Sequence, residues 1–300
     1  MSKEPLVVVR CATYNHNPIL RQCLDGIVMQ KTSFPVIAVV HDDCSTDGTT
    51  DILREYAKNY PDIILPMYET ENQWSKYDGE LDNIIDRKMN SLNPKYICYC
   101  EGDDYWTDPY KLQKQVDYME SHPNCTCYTH NSICLNTRTG EIRLFNKRLL
   151  NTQDFSLESF LNMDWFTPTQ SILYRASSFK EYEDMPLFMH GDYYLLVNVL
   201  LEKGTYLHYS NEIMGVYRDG GWASALYDDK ELELYDDFVA LLEYFKEKSN
   251  HRYDEVFDRQ IALKKKGKEQ YIQQMQEAKN SKKLINRIKR KLTRIFKAIC

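Results

Sequence analysis

Three short stretches concentrate side chains whose types and spacing could do chemistry. In Cys100-Glu101-Gly102-Asp103-Asp104-Tyr105-Trp106, three carboxylates fall within four positions, directly after the apolar run that ends at Cys100. Crowded carboxylates repel and raise one another's pKa, so a positive group is needed beside them. A hard divalent cation fits: Mg2+ or Mn2+ takes one or two carboxylates and completes its shell with phosphate oxygens. The same residues fit a solvated acidic turn ahead of the helix that Asp108-Pro109 would start, and spacing alone leaves both readings open. The second stretch, His41-Asp42-Asp43-Cys44-Ser45-Thr46-Asp47-Gly48, sets Asp42 and Asp43 side by side. Carboxylates placed so can accept hydrogen bonds from a nucleobase N–H or from ribose hydroxyls. Residues 45–48 read as a tight turn, with Thr49 or Thr50 capping the next helix. The third, His190-Gly191-Asp192-Tyr193, puts one carboxylate just ahead of an apolar run. Asp192 is there either a helix cap or a general base, and a helix N-terminus would favour its ionised form.

The elements that must carry these residues follow from hydropathy patterning. Apolar runs at 5–12, 34–41, 63–68 and 95–100 read as strands buried on both faces, and helical spacing fills the gaps at 18–30, 51–60 and 80–92. Such alternation predicts an α/β fold with a mostly parallel, Rossmann-like sheet covered by helices. Ligands of these sheets lie beyond the carboxyl ends of the strands, where the first two acidic stretches meet. The second half predicts a hairpin around 137–140, a strand over 167–175, a helix over 191–204 closed by Gly204, strand over 205–218 and an amphipathic helix from Lys230. No repeat or low-complexity linker interrupts the chain. The expected organisation is a catalytic domain over 1–225, a helical extension over 226–263 packed on it, and a basic amphipathic tail over 264–300.

Composition narrows the classes. The 300 residues are 43% hydrophobic and 27% charged, with a formal net charge of −6. Residues 264–300 hold 13 Lys and Arg against two Glu, so the first 263 residues carry 25 basic and 42 acidic side chains. An acidic body argues against nucleic acid as a partner. No apolar run approaches the ~20 residues that span a bilayer, and the first ten residues do not read as a signal peptide. The nine cysteines are odd in number and lack the spacing of a disulfide framework or zinc knuckle, which predicts buried thiols in a cytoplasmic protein.

The segments VVVRCATYNH, VVHDDCSTDGTTDIL, YICYCEGDDYWTDPYKLQKQ and HGDYYLLVNVLLEKG occur in this order and at suitable spacing. As a set they resemble the family 2 glycosyltransferases of the GT-A fold, which build bacterial surface polysaccharides and other glycans; the similarity covers about residues 5–220. The resemblance implies an inverting transferase that uses Mn2+ or Mg2+ and a nucleotide-diphosphate sugar, UDP-sugars favoured, to glycosylate a glycan or lipid-linked acceptor. The family's DxD element falls on Glu101-Gly102-Asp103, followed by Asp104, with Asp103 as the implied metal ligand and Glu101 where Asp is usual. Asp43, beside Asp42, matches the nucleobase contact; Ala12, Thr13 and Tyr14 match the loop along the nucleoside; Asp192 matches the catalytic base. Where the family often has a metal-binding His, this chain reads Tyr217-Arg218-Asp219-Gly220, so Asp219, another loop group, or diphosphate and water must serve. Arg218 is a candidate phosphate contact. Sugars stack their C–H faces on rings, which makes Trp165 and Trp222 the candidates for the acceptor side, while Trp106 reads as core and His130 and His190 as structural. Two other readings stand beside this one: a catalytically silent nucleotide-sugar or glycan-binding subunit, and a sugar-phosphate nucleotidyltransferase, which would want a basic Gly-rich loop near residue 12.

In the tail, Leu284, Ile285, Ile288, Leu292, Ile295, Phe296 and Ile299 keep i, i+4 spacing, and eight cations fill the other faces. A basic amphipathic helix of this kind lies in the membrane interface with its cations on anionic headgroups, which places the protein at the inner face of the cell membrane. The intact chain should co-sediment with anionic liposomes, less so as salt rises, and a chain ending at Asn280 should not. Equal binding by both forms, or none by the intact chain, removes the membrane reading.

Overall fold

The computed structural model describes residues 4–76, 78–219 and 230–299, with side chains described to residue 278. The chain divides into two compact units, residues 1–229 and 230–300.

The first unit begins with the expected alternation. Strand β1 (Val7–Thr13), helix α1 (Leu20–Val28), β2 (Val36–Asp42), α2 (Thr49–Asn59), β3 (Ile64–Tyr68), α3 (Glu80–Asn90) and β4 (Tyr96–Tyr99) follow one another. Strands β3, β2, β1 and β4 lie side by side and parallel. Six of the seven residues of β1 are buried, as expected of a strand covered on both faces. Because β2 and β4 flank β1 on opposite sides, the strand order reverses at β1, and a crevice opens beyond its carboxyl end.

The remaining strands are β5 (Tyr105–Trp106), β6 (Cys125–Asn136), β7 (Ile142–Leu144), β8 (Gln153–Phe155), β9 (Leu173–Arg175) and β10 (Tyr206–Asp219), with helices α4 (Lys111–Ser121), α5 (Leu157–Leu161) and α6 (Gly191–Leu200). Among the described residues all ten strands form one sheet, in the order β3-β2-β1-β4-β9-β6-β10-β5, with β7 on β6 and β8 on β10. The parallel half is joined to the parallel pair β6 and β10 by β9, which runs antiparallel to both neighbours. The hairpin between β6 and β7 stands where expected. The strand expected over 167–175 is shorter, because Thr169–Ser171 turn in a 3-10 helix before β9 starts. At the start of α2 neither Thr49 nor Thr50 caps: Gly48, at φ +96°, precedes the helix and Asp47 Oδ1 accepts the Thr49 N–H at 3.0 Å. The two hydroxyls are spent elsewhere, Thr49 accepting His16 N–H and Thr50 donating to Asp42.

The second unit is an antiparallel pair of helices, α7 (Glu231–Lys248) and α8 (Asp254–Ile299), in which Lys246 meets Asp258 at 2.6 Å and Lys268 meets Asp236 at 2.5 Å. Leu241, Leu242, Phe245, Val256, Phe257 and Ile261 are buried in this unit. The backbone of the tail is helical; the side chains of its apolar stripe lie outside the described residues, as does Trp222. Among the described residues no helix is long and apolar enough to cross a membrane. The eight cysteines among them are free, and seven are buried.

Trp106 is core, as expected: it is 2% exposed, its indole N–H donates to Gln170 O at 2.9 Å, and Lys111 Nζ sits 4.2 Å from the ring centroid. Helix α1 reaches this strand only because residue 26 is glycine; a Cβ there would lie 2.8 Å from Trp106 N and 2.9 Å from Trp106 O. Alanine in an open helix gains up to ~1 kcal/mol over glycine, but forced overpacking costs about 1–3 kcal/mol. Gly26→Ala should therefore lower stability in urea denaturation; an unchanged or raised midpoint would show that α1 moves aside freely.

Candidate active site

Two arginines stand beside the three crowded carboxylates. Arg10, the one charged residue of β1, is 7% exposed and forms ion pairs with Glu101 and with Asp82 of α3. Its guanidinium lies 5.3 Å from the Tyr99 ring centroid. Glu101 uses its other oxygen to accept the Ala12 N–H at 2.7 Å. Burial pushes the Glu101 carboxyl up, and Arg10 holds it back down. Arg218, near the end of β10, serves Asp104 and Asp103 differently. Its backbone N–H donates to Asp104 Oδ1 at 2.7 Å, while its guanidinium donates to the Asp103 carbonyl and to Gln22 and lies over Tyr105 at 4.7 Å. Burial and the neighbouring Asp103 carry the Asp104 carboxyl well above the usual range. The Asp103 carboxylate is half-buried and accepts no hydrogen bond from the described residues.

Glycine between Glu101 and Asp103 is a packing requirement. A Cβ at Gly102 would lie 2.7 Å from both His16 Nδ1 and Thr13 Oγ1, and Gly102 N–H donates to Ala12 O at 2.9 Å. The loop is thus pressed onto the segment that leaves β1. That segment is in turn tied to the loop after β2: Asp43 N–H donates to Thr13 O at 3.0 Å, Asn15 N–H to Ser45 Oγ at 2.9 Å, and Asn17 N–H to Asp47 at 3.0 Å. Tyr14, half-buried, lies in the same segment. Asp42 and Asp43 are each 2% exposed. Asp42 accepts Ser45 N–H and the Thr50 hydroxyl, and Asp43 accepts the N–H groups of Gln73 and Trp74 at 2.7 and 3.0 Å. Both carboxylates therefore build the rim.

Asp192 opens α6. Its Oδ2 accepts the Thr169 hydroxyl at 3.1 Å and its Oδ1 accepts Tyr193 N–H at 2.8 Å. Burial raises its pKa, against the pull of those two donors and of His190. Asp192 and Glu101 line one cavity of about 700 Å3 together with Arg10, Asp82, Asp86 and Tyr217. Asp86 is pushed up to about 6 by burial. Rings of Tyr99, Tyr174, Phe179 and Tyr194 complete much of the wall, so the cavity offers carboxylates for hydroxyl groups and flat apolar faces for C–H groups.

Trp165 is elsewhere: it is 39% exposed, 5.9 Å from the Tyr193 ring, and lines a second cavity. His130 is fully buried, with burial pushing its pKa well down, which suits a structural residue. Asp219 ends β10 and faces Arg143 at 3.5 Å. Sequence reasoning missed Arg10, Asp82, Asp86 and His16. Arg10 carried a signal, a lone cation inside an apolar strand, which is rarely buried without a partner. Asp82, Asp86 and His16 carried none.

The Arg10 pair can be weighed by its two partners. Asp82 is 62% exposed at the side chain, so Asp82→Asn should cost no more than about 1 kcal/mol. Arg10→Met strands Glu101 and should cost about 3 kcal/mol at neutral pH. Glu101 alone would have a folded pKa above its unfolded value of ~4.3, so the deficit is full at high pH and shrinks as pH falls and the carboxyl takes a proton. Denaturation of the three proteins across pH checks this; equal losses in both variants would remove the pair from the argument.

The family model described as glycosyl transferase family 2 matches residues 9–182. An uncharacterized protein of Mycobacterium tuberculosis is 34% identical over 226 residues, 73% of this chain and 61% of that protein. The chain thus spans about three fifths of that relative's length. Two solved structures share the fold at lower identity. Staphylococcus aureus TarS 1–349 in complex with UDP-GlcNAc superposes with a TM-score of 0.57 at 18% identity, over 79% of this chain and 65% of that one. The mannosyltransferase PcManGT from Pyrobaculum calidifontis, in complex with GDP-Man and Mn2+, also gives 0.57, at 17% identity over 87% and 74%.

Proposed function

The chain belongs to glycosyl transferase family 2, and from that premise we propose that it is an inverting transferase moving a sugar from a nucleotide-diphosphate donor to a saccharide hydroxyl. The observation that carries this is the cavity joining the Glu101 strand end to Asp192, lined by carboxylates and rings. As the acceptor oxygen bonds to the anomeric carbon, the bond to the diphosphate breaks on the opposite face and the acceptor proton passes to Asp192. Each Asp192 oxygen accepts one protein donor and keeps a second lone pair for that proton. A pKa raised by burial makes Asp192 a stronger base than an exposed aspartate.

Among the described residues no three His, Cys, Asp or Glu side chains gather to hold a metal by themselves. One carboxylate with phosphate oxygens and water is nonetheless a normal Mg2+ or Mn2+ shell. Asp103, whose carboxylate accepts from no donor among the described residues, fits that arrangement, whereas Glu101 is committed to Arg10 and Ala12. Such an ion, bound with the donor, would stabilise charge on the leaving diphosphate. The nucleoside is proposed to lie along Ala12, Thr13 and Tyr14, with Asp42 and Asp43 below it. A phosphate reaching Arg218 would have to compete with Gln22 and the Asp103 carbonyl. The base is proposed to be uracil, as in the donor bound by TarS; the guanine of the PcManGT complex is the alternative. A lipid-linked or glycan acceptor at a membrane surface accords with the basic tail.

A screen of UDP-, GDP- and dTDP-sugars for nucleoside diphosphate release, with and without Mn2+, tests the reading. Asp192→Asn should lose about 10²–10⁴-fold in transfer rate with donor binding kept. Asp103→Asn should lose metal-dependent donor binding while the fold survives. Activity that requires ionised Asp192 should fall as pH drops through a value above the ordinary aspartate range, since the folded pKa is raised. Donor binding without transfer to any acceptor would favour the silent subunit, and parental rates in Asp192→Asn would remove the base.

A further inference from the structure

The second cavity, about 340 Å3, differs in sign from the first. Among the described residues that line them, Arg10 is the single cation beside several carboxylates in the first, while the second holds Arg143, Lys147 and Arg148 beside Asp164, with Asp219 facing Arg143 from the end of β10. This concentration of positive charge occurs in a body whose first 263 residues are strongly acidic. The turn that carries it is built firmly. Asn146, 7% exposed, accepts the N–H groups of Arg148 and Leu149 at 2.8 and 3.0 Å, and exchanges two hydrogen bonds with Asn131 of β6 at 3.0 and 3.1 Å. Lys147 and Arg148 are thereby held outward on a fixed turn, and Arg148 is paired with Asp164 at the surface.

Rings connect the two cavities. Phe145 meets Tyr217 edge-on at 5.3 Å, and Tyr217 lines the first cavity. Trp165 lies 5.9 Å from Tyr193, whose own N–H donates to Asp192. A saccharide chain whose reacting hydroxyl is at Asp192 would thus pass a half-exposed indole and arrive at three cations. Guanidinium groups bind phosphate and carboxylate oxygens through charge-assisted hydrogen bonds, and the indole face suits a sugar ring.

We propose that the cavity formed by Arg143, Lys147, Arg148, Phe145 and Trp165 is an acceptor subsite for an anionic saccharide unit, a sugar bearing a phosphate or a carboxylate. This rests on the transferase reading, because the subsite acts on the acceptor of Asp192. The acidic first cavity receives the neutral reacting sugar, and the basic second cavity reads the charged unit beyond it. The acceptor is therefore a glycan that carries an anionic unit beyond the reacting sugar.

The test is calorimetric titration of the full chain, saturated with UDP, with glucose 6-phosphate, glucuronate and glucose. Hydrogen bonds to charge should give at least one anionic probe about a tenfold tighter affinity than glucose. A preference for glucose 6-phosphate assigns the anion as phosphate, and one for glucuronate assigns it as carboxylate. The double variant Lys147→Gln, Arg148→Gln should abolish the preference while UDP affinity is unchanged; both residues are exposed, so folding is not at stake. Trp165→Ala should weaken all three probes. Equal affinity for the three probes in the parent, or a preference that survives the double variant, overturns the subsite. Failure of the parent to bind UDP or GDP sinks the transferase reading instead, an outcome read before any saccharide is added and so distinct from failure of the subsite.

Discussion

Everything at the head of the sheet depends on one buried ion pair. Arg10 lies in the middle of the most covered strand, where an unpaired guanidinium would be untenable. Glu101 satisfies it from the end of β4, and with its second oxygen holds the Ala12 backbone. Three consequences follow from that one carboxylate. The end of β4 is tied to the end of β1, the Gly102 turn is pressed onto Thr13 and His16, and the Asp103 carboxylate is left without a donor among the described residues. Aspartate has the same two oxygens as glutamate, and what Glu101 adds is one methylene of reach toward Arg10 and the Ala12 N–H.

The parallel half of the sheet was legible because each of its strands is a short unbroken apolar run separated by helical spacing. The rim residues were legible for the same reason, as polar clusters at strand ends. Roles within the rim were not. Asp42 and Asp43 read as ligand groups, and the structure adds a second duty the sequence did not show: Asp42 accepts Ser45 N–H within its own loop, and Asp43 accepts Gln73 and Trp74 N–H from the segment after β3. The start of α2 was misplaced because Thr, Asp and Gly at 46–50 are all competent caps, and tertiary bonds to His16 and Asp42 decided which hydroxyl was free. Strand β9 was read too long, since the 3-10 turn at Thr169–Ser171 serves to bring the Thr169 hydroxyl to Asp192 and Gln170 O to Trp106. Partners distant in sequence, such as Asp82 for Arg10, leave no trace in local pattern.

Charge separates the two cavities more clearly than shape does. The acidic, ring-lined chamber beside Asp192 disfavours anions, which under the proposed reaction would help the leaving diphosphate to depart. The basic turn that follows β7 carries the opposite sign and, under the proposed subsite, would hold anionic groups away from that chamber. The sign reversal over a few side chains gives the surface a direction, and a long charged substrate can settle on it in one orientation at least cost.

The pairing of β5 with β10 has a consequence for the order in which the protein is made. Strands β1 to β4 are contiguous in sequence and can close their parallel block as soon as residue 99 is available. The loop that follows cannot be finished then. Tyr105 and Trp106 pair with Val216 and Gly215, and Asp104 receives its hydrogen bond from Arg218, more than a hundred residues later. During synthesis the chain therefore carries the parallel block of β1 to β4 with its acidic loop still open. Domains emerge from the N-terminus first, and here the residues proposed to hold the donor's phosphates reach their final places only when the last strand of the sheet arrives.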